Sequence, residues 1–477
     1  MPDTTKSPVS TKGGFQKSLG FPAAIGMVVG SMIASGIFMS PQNMAACANP
    51  KTAIIAWLIT GIGASFIAVS FANMVEKMPR TGGPVVYTRA AFGEFPSFLI
   101  GWAYWIGAWS SLAALISGCI RYLGNIFPVI ANNRAAAFIL ASAILWALTI
   151  VNILGVQGAG RVVVFTTICK LVPILVFIVI GIFHFHPAYF NTVSSPKVSG
   201  FGTLSAAVGV AMWAFMGLEM GVFPAEETKN APVFIKKATI FGTIFVALIY
   251  LAVSIVSFGI MPQARLANSN APIAEMINVM TGGKWGGIFI SVGVVISTIG
   301  AATGCCIVTA RCSYACAADK TFPSVFGKMS RQYGTPVGSL ILAAILTNLL
   351  LISNYTKGLN AAYQFVMLLS TMTTLPAYVA TAGAEILLCK KFSGKLSVGS
   401  FIKSAIVPLI ALAYSCYAVY GCGADAVMWG FLLILIGVPF YLYVKIEQKN
   451  KTGSISCVDT EYLTENAAEE NAGALKK

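Results

Sequence analysis

Apolar runs of about 20 residues recur along most of the chain. Of its 477 residues, 57% are hydrophobic and 10% are charged, whereas soluble domains carry about a quarter charged residues. A helix crosses a hydrocarbon layer about 30 Å thick with roughly 20 apolar residues. About twelve such runs fit between Phe21 and Ile446, and the ten-residue alternations typical of outer-membrane barrels are not the pattern here. The chain is therefore predicted to be an all-α polytopic membrane protein with about twelve transmembrane helices.

The apolar runs divide the chain into segments. A polar tail, 1–20, precedes the first run, and the tail 447–477 has no apolar periodicity and is predicted to be disordered. No short apolar stretch with a small-residue cleavage site precedes the first span, so no cleaved signal peptide is expected. The predicted spans lie near 21–44, 52–75, 94–120, 135–154, 161–185, 203–222, 238–261, 284–312, 337–353, 361–388, 402–421 and 425–445.

The net charge of +15 comes from lysines and arginines spread over short loops and the tails. This distribution argues against nucleic-acid binding and follows the positive-inside rule. With the N-terminal tail in the cytoplasm, the loops on the opposite side hold only Lys51, Arg121, Arg134, Lys197, Arg265, Lys284 and Lys357. Both termini of this multi-pass protein are therefore predicted to be cytoplasmic.

Two apolar runs carry helix-weakening residues at their centres. The first reads VVGSMIASGIF, residues 28–38, and the second reads VGVAMWAFMGLEMGVFPAEE, residues 208–227. Each begins a set of five predicted spans, so 21–190 and 200–390 are candidate inverted repeats, followed by two further helices in 401–446. Alternatively, the small residues only let neighbouring helices pack closely. The first interpretation predicts a discontinuous helix in each repeat.

A discontinuous helix offers backbone groups that a continuous helix does not. Within a membrane each N–H and C=O is paired inside its own helix, and an interruption frees some of them. Gly30, Ala34, Ser35 and Gly36 permit such an interruption and the close approach of a ligand. Freed N–H groups at the positive end of a half-helix suit a carboxylate, and freed carbonyls suit an ammonium group. The two segments together predict a site for an α-amino acid.

Charged and aromatic side chains within the predicted spans are candidates for this site. A carboxylate near the bilayer centre is costly, so Glu219 is expected to bind a cation or take up a proton, unless it only bonds to a neighbouring helix. Trp213 and Phe215 either offer π faces to a cationic substrate or pack in the core. Lys170 either takes the place of a coupling cation or extends to the membrane interface.

The sequence patterns do not favour a metal site, a cofactor or a catalytic centre. Its 11 cysteines lie mostly within apolar runs, without metal-ligand spacing. His184 and His186 have no third ligand nearby, and no dinucleotide-binding loop, HExxH or GxSxG motif occurs in its proper context. We therefore expect no cofactor and no enzyme activity.

Several motifs resemble those of the amino acid/polyamine/organocation superfamily of transporters, over about residues 20–446. They are GSMIASGIF followed by Pro41, MPRTGGPVVYTRAAFGEF (78–95), WAFMGLE (213–219) followed by AEETKNAP, TARCSYACAADKTFP (309–323) and AVYGCGADAVMWG (418–430). WAFMGLE is similar to the basic amino acid/polyamine antiporter family, which includes arginine/agmatine and putrescine/ornithine exchangers. The resemblance implies a leucine-transporter-like fold and alternating access, in which spans 1, 2, 6 and 7 rock against spans 3, 4, 8 and 9.

The resemblance also implies roles for individual residues. Those that would hold the α-carboxylate and amine are Ser31, Met32, Ala34, Ser35 and Gly36; those that would line the pocket are Trp213, Phe215 and Met216; and polar contacts would come from Ser370 and Thr374. Tyr104, Glu219 and Tyr378 match a gate on the cytoplasmic side of the substrate. Lys170 matches a lysine that replaces sodium in sodium-independent relatives, which implies no sodium requirement.

Two positions depart from the arginine/agmatine exchangers. Cys305 stands where they carry a tryptophan that stacks on the guanidinium, and Leu112 stands where they carry an asparagine. The expected function is an antiporter in a bacterial inner membrane that exchanges a basic amino acid for its related amine or another amino acid. The alternatives are a proton-coupled neutral amino acid permease and, more remotely, an amino acid receptor. The expected partners are an amino acid or polyamine and the lipid bilayer, and some relatives also form homodimers.

Overall fold

The structure is a computed structural model that describes residues 20–80, 82–154, 159–191, 201–222, 225, 228–330, 332–357, 359–393 and 398–452. Helices form nearly all of this part of the chain. In chain order they are α1 (Phe21–Met32), α2 (Ser35–Cys47), α3 (Pro50–Lys77), α4 (Pro84–Phe92), α5 (Glu94–Ile126), α6 (Pro128–Asn132), α7 (Arg134–Leu154), α8 (Ala159–Phe183), α9 (Pro187–Asn191), α10 (Phe201–Phe215), α11 (Ala231–Ile260), α12 (Gln263–Ala267), α13 (Pro272–Thr281), α14 (Trp285–Ala318), α15 (Val337–Lys357), α16 (Leu359–Ser393), α17 (Val398–Gly421) and α18 (Ala424–Thr452).

Within the described residues, 10 helical segments are long and apolar enough to cross a membrane. Two shorter apolar segments, Lys170–Phe183 in α8 and Val337–Ile352 in α15, occupy the positions of the predicted fifth and ninth spans. Large apolar side chains are exposed on the outer helices, among them Phe241, Leu248 and Phe431, as expected of surfaces that meet lipid. The prediction of an all-α polytopic membrane protein is confirmed, and the count of twelve spans stays a prediction.

The first predicted interruption lies between α1 and α2. α1 ends at Met32, and α2 begins at Ser35 after a bend through Ile33 and Ala34. The two glycines of this segment lie inside the helices, so they serve close packing rather than the bend itself. The sequence identified the right segment, and the glycine-based account of the bend is corrected.

The second predicted interruption follows α10. That helix ends at Phe215, and Gly217 adopts φ 102°, a left-handed backbone conformation that glycine tolerates best. A 3-10 turn over Leu218–Gly221 then continues the chain. Here the glycine itself makes the break.

The helices pack into two groups. α3 contacts α10 and α11, α11 contacts α1, and α2 joins this group through α10 and α11; α5, α7, α14 and α15 form the second group. Between them, α8 contacts α1, α11 and α14, whereas α16 contacts α3 and α5. This division matches the two sets of spans that the superfamily resemblance assigns to a moving bundle and its scaffold. The symmetry between repeats 21–190 and 200–390 stays a prediction.

Several helices extend beyond their predicted ends, and for α5 and α18 the extension changes a prediction. α5 continues to Ile126, so Arg121, which the charge pattern places in a loop, lies in a buried part of a helix. α18 continues to Thr452, so residues 447–452 are helical where the sequence predicts a disordered tail. An ion pair between Lys445 and Glu94, at the start of α5, holds this end of α18 against the bundle. Residues 1–19 and 453–477, with most of both predicted tails, lie outside the described residues.

Candidate functional site

The bend between α1 and α2 changes the pairing of backbone groups. In a continuous helix the amide of Ala34 would donate to the Gly30 carbonyl; here it donates to the Met32 carbonyl at 2.9 Å. The Gly30 carbonyl is thereby available to another donor at the negative end of α1. The amides of the first turn of α2, residues 35–38, have no partner inside that helix, because a helix begins with unpaired N–H groups.

Lys170 of α8 is a hydrogen-bond donor to the Gly30 carbonyl. Its Nζ donates to that oxygen at 2.9 Å, and the side chain is 3% exposed. A cation at the C-terminal end of a half-helix is favoured by the helix dipole. One turn away, the Thr167 hydroxyl donates to the Gly26 carbonyl at 3.2 Å. The buried position fits a lysine that acts in the interior and does not fit one that extends to the membrane interface.

The two interruptions lie against each other. A Cβ at Gly217 would come within 2.9 Å of Ser31 Cβ and 3.1 Å of the Ser31 carbonyl carbon, so only glycine permits this approach. The Tyr250 hydroxyl of α11 lies 2.7 Å from the Met32 carbonyl oxygen and 2.9 Å from that of Ala214. The hydroxyl proton of Tyr250 is therefore shared between two carbonyl oxygens, one from each interrupted helix. The sequence gives no signal for this tyrosine, because it lies in an unbroken apolar span.

The start of α2 faces the side chain of Trp213. A Cβ at Gly36 would lie 3.2 Å from Trp213 Nε1 and 3.3 Å from Ala214 Cα. Trp213 is 6% exposed, and within the described residues its Nε1 has no hydrogen-bond partner. Met32, Ala34 and Gly36 are buried beside it; Ser31 is half-buried, and the side chain of Ser35 lies outside the described residues. The predicted carboxylate- and amine-binding residues are thus brought together with Trp213.

Phe215 and Met216 occupy different positions. The Phe215 ring is fully buried and packs against Tyr250, with centroids 5.3 Å apart, and against Trp57, at 6.1 Å. This is the packing that the sequence left as its alternative to a π face for the substrate. Met216, half-buried, places its sulfur 4.0 Å from the Tyr378 hydroxyl, at the edge of the neighbouring cluster.

Glu219 forms a cluster with Tyr104 and Tyr378. Its side chain is 1% exposed. Oε1 accepts a hydrogen bond from the Tyr104 hydroxyl at 2.9 Å, and Oε2 accepts one from the Tyr378 hydroxyl at 2.5 Å and one from the Gly217 amide at 3.2 Å. The three residues belong to α5, the turn after α10, and α16. A carboxylate with three donors thereby joins both helix groups directly beyond the second interruption.

Ser370 and Thr374 lie where α16 packs on α5. The Ser370 hydroxyl lies 2.5 Å from the Ser111 hydroxyl and donates to the Gly107 carbonyl at 2.9 Å. The Thr374 hydroxyl donates to the Ser370 carbonyl at 3.0 Å, within its own helix. A Cβ at Gly107 would come within 2.2 Å of Thr374 Oγ1, so this glycine sets the separation of the two helices. Both hydroxyl groups are engaged with the protein itself.

Cys305 and Leu112, the two departures from the exchangers, lie at the interface of α14 and α5. The Cys305 thiol contacts the Ala108 carbonyl oxygen at 3.1 Å, and Leu112, one turn further along α5, is 2% exposed. Both residues thus present weakly polar or apolar surface at the same interface.

Arg121 is a buried cation with several hydrogen-bond partners, although the charge pattern of the sequence predicts that it lies in a loop. It is 3% exposed; its guanidinium donates to the Ser269 carbonyl at 3.0 Å, the Asn270 carbonyl at 3.2 Å and Gln42 Oε1 at 3.3 Å. It also lies 5.4 Å from the ring centroid of Tyr363. The apolar residues on both sides of Arg121 were the signal that it lies inside a span.

The two histidines do not join a metal site within the described residues. His184 is exposed, and its Nδ1 lies 3.0 Å from the Ile180 carbonyl oxygen. In the same part of the chain, His, Cys, Asp and Glu side chains do not gather in groups of three.

Comparison with known proteins gives the family. The sequence model of the amino acid permease family matches residues 19–446. An arginine/agmatine antiporter of Chlamydia caviae is 31% identical over 445 residues, 90% of each chain. Arginine/ornithine antiporters of Latilactobacillus sakei and Pseudomonas aeruginosa are each 30% identical, over 89% of this chain and 90% of theirs. This protein therefore belongs to the amino acid permease family.

Proposed function

We propose that the protein is an antiporter that exchanges a basic amino acid for its related amine or for another amino acid. The observation that carries this proposal is its similarity, at 30–31% identity over about nine-tenths of both chains, to antiporters named for arginine with agmatine or ornithine. The interrupted helices supply the backbone groups that an α-amino acid requires. Such a protein is a transporter and not an enzyme.

The substrate's carboxylate and amine bind at the first interruption. The unpaired amides at the start of α2, near Ser35 and Gly36, receive the carboxylate, and carbonyls at the end of α1, near Ser31 and Met32, receive the ammonium group. Trp213 lies across this position, with its ring against Gly36. Ala34, at the bend, places the two half-helix ends on opposite sides of the substrate.

Access alternates between the two faces of the membrane. The group α1, α2, α3, α10 and α11 rocks against the group α5, α7, α14 and α15. Tyr104, Glu219 and Tyr378 form the gate on the side where α1 begins, because their cluster crosses from one group to the other. With the positive-inside distribution of charge, that side is the cytoplasm. The protein lies in the bacterial inner membrane.

No sodium gradient drives the exchange. Lys170 places a fixed positive charge at the end of α1, where its Nζ meets the Gly30 carbonyl. A coupling cation at that carbonyl would have to displace this charge.

A proton-coupled permease for neutral amino acids is the second candidate. Cys305 and Leu112 favour it, because an apolar interface between α14 and α5 offers nothing to a cationic side chain. In that case Glu219 carries the coupled proton.

Competition in proteoliposomes separates the two candidates. Vesicles containing the purified protein and unlabelled arginine take up labelled arginine, while excess arginine, ornithine, lysine, agmatine, alanine or leucine competes outside. Inhibition by the basic compounds alone supports the antiporter. Inhibition by alanine or leucine alone, or no arginine uptake, contradicts it.

A further inference from the structure

Glu385 of α16 is a second buried carboxylate, and the exchange cycle proposed above gives it no role. It is 5% exposed. Asn73 Nδ2 of α3 donates to Oε1 at 2.7 Å, whereas Oε2 has no hydrogen-bond partner among the described residues. A buried carboxylate with an unpaired oxygen is unfavourable unless a cation or a proton compensates it. The Ser70 hydroxyl, which also has no hydrogen-bond partner among the described residues, lies beside this carboxylate, so Oε2 is available to Ser70 or to a ligand.

The groups that face Glu385 form a polar stripe on α3. Ser70, Asn73 and Lys77 are spaced by three and four residues and so share one face of that helix. The Ser70 hydroxyl and the Asn73 amide lie beside the carboxylate, and Lys77, at the end of α3, contributes an attractive charge. Ser70 is buried and Lys77 is exposed. The stripe therefore runs from the interior to the surface along the boundary of α3 and α16.

This stripe lies next to the Glu219 cluster. Tyr378, which donates to Glu219, precedes Glu385 by two turns on the same face of α16, a rise of about 10 Å. Phe71 of α3 packs edge-on against the Tyr378 ring, with centroids 5.5 Å apart. Glu385 thus lies between the gate and the end of α3, on the side of the membrane where α1 begins.

We propose that Glu385 is a binding subsite for the side-chain guanidinium or ammonium group of the substrate, between the gate and the cytoplasm. Oε2 accepts the cationic group, and Asn73 holds Oε1 in place. This inference rests on the proposed exchange of basic amino acids. A charge-assisted bond forms only with a cationic side chain, so a neutral amino acid gains nothing at this position.

The test compares the two faces of the membrane with the full-length protein. Labelled arginine exchange is measured in inside-out and right-side-out membrane vesicles for the native protein, Glu385→Gln and Glu385→Asp. Glutamine keeps an acceptor for Asn73 and removes the charge. We expect a KM about tenfold higher at the cytoplasmic face for Glu385→Gln, an intermediate value for Glu385→Asp, and a change below about twofold at the opposite face.

Two comparisons complete the experiment. Citrulline, whose side chain ends in a neutral group, should inhibit from the cytoplasmic face equally well in the native protein and in Glu385→Gln. Lys77→Gln should leave the KM unchanged or lower it, because it removes a neighbouring cation. The same rise in Lys77→Gln as in Glu385→Gln would mean that the carboxylate is only a counter-ion for the lysine and would overturn the inference.

The outcomes separate this inference from the function on which it rests. A native protein that fails to exchange basic amino acids refutes the proposed function. A native protein that exchanges them, while Glu385→Gln has the native KM at the cytoplasmic face or an equal rise at both faces, refutes the subsite alone. The KM at the opposite face also reports whether each variant is correctly folded.

Discussion

At the scale of single residues, Glu219 combines the features expected of a gate. Its carboxylate receives donors from Tyr104, Tyr378 and the Gly217 amide, which belong to three separate elements. Hydrogen bonds to a buried charged group are worth about 1.5–3 kcal/mol each, because charge strengthens them. In the cycle proposed above, the cluster holds the two helix groups together and releases them when one bond is exchanged for a substrate or a proton.

We predict that Glu219→Gln and Tyr378→Phe slow exchange by about tenfold or more, because each loses a charge-assisted bond across the gate. The initial rate of labelled arginine uptake into loaded proteoliposomes measures this. Tyr443→Phe in α18, whose side chain is 61% exposed, is the matched control and should keep the native rate. Native rates in both gate variants would contradict the assignment.

Lys170 allows a prediction about ion dependence. Because its ammonium group occupies the carbonyl at the end of α1, native exchange should be unchanged when sodium is replaced by potassium or choline at constant ionic strength. Lys170→Met removes the charge, keeps the approximate length, and should reduce exchange by about tenfold or more. A native protein that requires sodium would contradict the role given to this lysine.

At the scale of elements, α5 carries contacts for both faces of the membrane. Tyr104, near its start, donates to Glu219. Arg121 and Tyr122, about 25 Å further along the helix, bond to Gln42 and to the Phe38 carbonyl of α2. Arg121 also holds the 268–270 segment between α12 and α13. Hydrogen bonds to neighbouring elements therefore fix α5 near both of its ends.

Loss of the Arg121 hydrogen bonds should destabilise the contacts of α2 and of the segment between α12 and α13, and leave the opposite end of α5 unchanged. Arg121→Gln loses a fork of donors that lysine or glutamine cannot replace. Deuterium exchange should then rise in the peptides of α2 and of residues 263–281 and stay unchanged in α4, on the other face. Equal exchange in α2 for the native protein and the variant would show that Arg121 does not close this face.

The interface of α8 and α1 depends on Gly30. A Cβ at this position would come within 2.3 Å of Thr167 Oγ1, beside the bond between Lys170 and the Gly30 carbonyl. We therefore expect Gly30→Ala to destabilise the protein by about 1–3 kcal/mol through overpacking, measured as a lower Tm in detergent.

Gly304→Ala is the matched control for Gly30→Ala. Gly304 lies in α14, where a Cβ would meet no atom of the described residues within 4 Å, so alanine is free of clashes there. Alanine in an open helical position stabilises by about 0.5–1 kcal/mol relative to glycine. The Tm of Gly30→Ala should therefore be lower than the Tm of Gly304→Ala. A Tm of Gly30→Ala equal to or above that of Gly304→Ala would contradict the packing argument.

At the scale of the whole molecule, the sequence predicts the class of fold and the position of both helix interruptions. Hydrocarbon thickness sets the length of a span, and helix-weakening residues in mid-span mark both segments. Only at the second interruption does a glycine, Gly217, make the break itself. The sequence also singles out Glu219 and Lys170, since charges within apolar runs are conspicuous. Glu385 is also a charged residue within an apolar run, the predicted tenth span, but it is not among the predicted site residues.

Other features depend on tertiary contacts. Tyr250 lies in an ordinary apolar span, and only the fold shows that its hydroxyl lies between carbonyls of both interrupted helices. Phe215 lies close to Trp213 in the sequence, yet its ring packs against Trp57 and Tyr250, whereas Trp213 lies against Gly36 of α2. Neighbouring helical residues point in different directions, so the sequence alone cannot decide which one meets a substrate.

The function proposed for this protein is the coupled exchange of basic amino acids. Its most direct test follows labelled arginine into proteoliposomes that are empty, loaded with arginine or ornithine, or loaded with leucine, with and without a pH gradient. We predict uptake only into vesicles loaded with a basic amino acid, whatever the pH gradient. Uptake into empty vesicles driven by the pH gradient would contradict exchange and favour a proton-coupled permease.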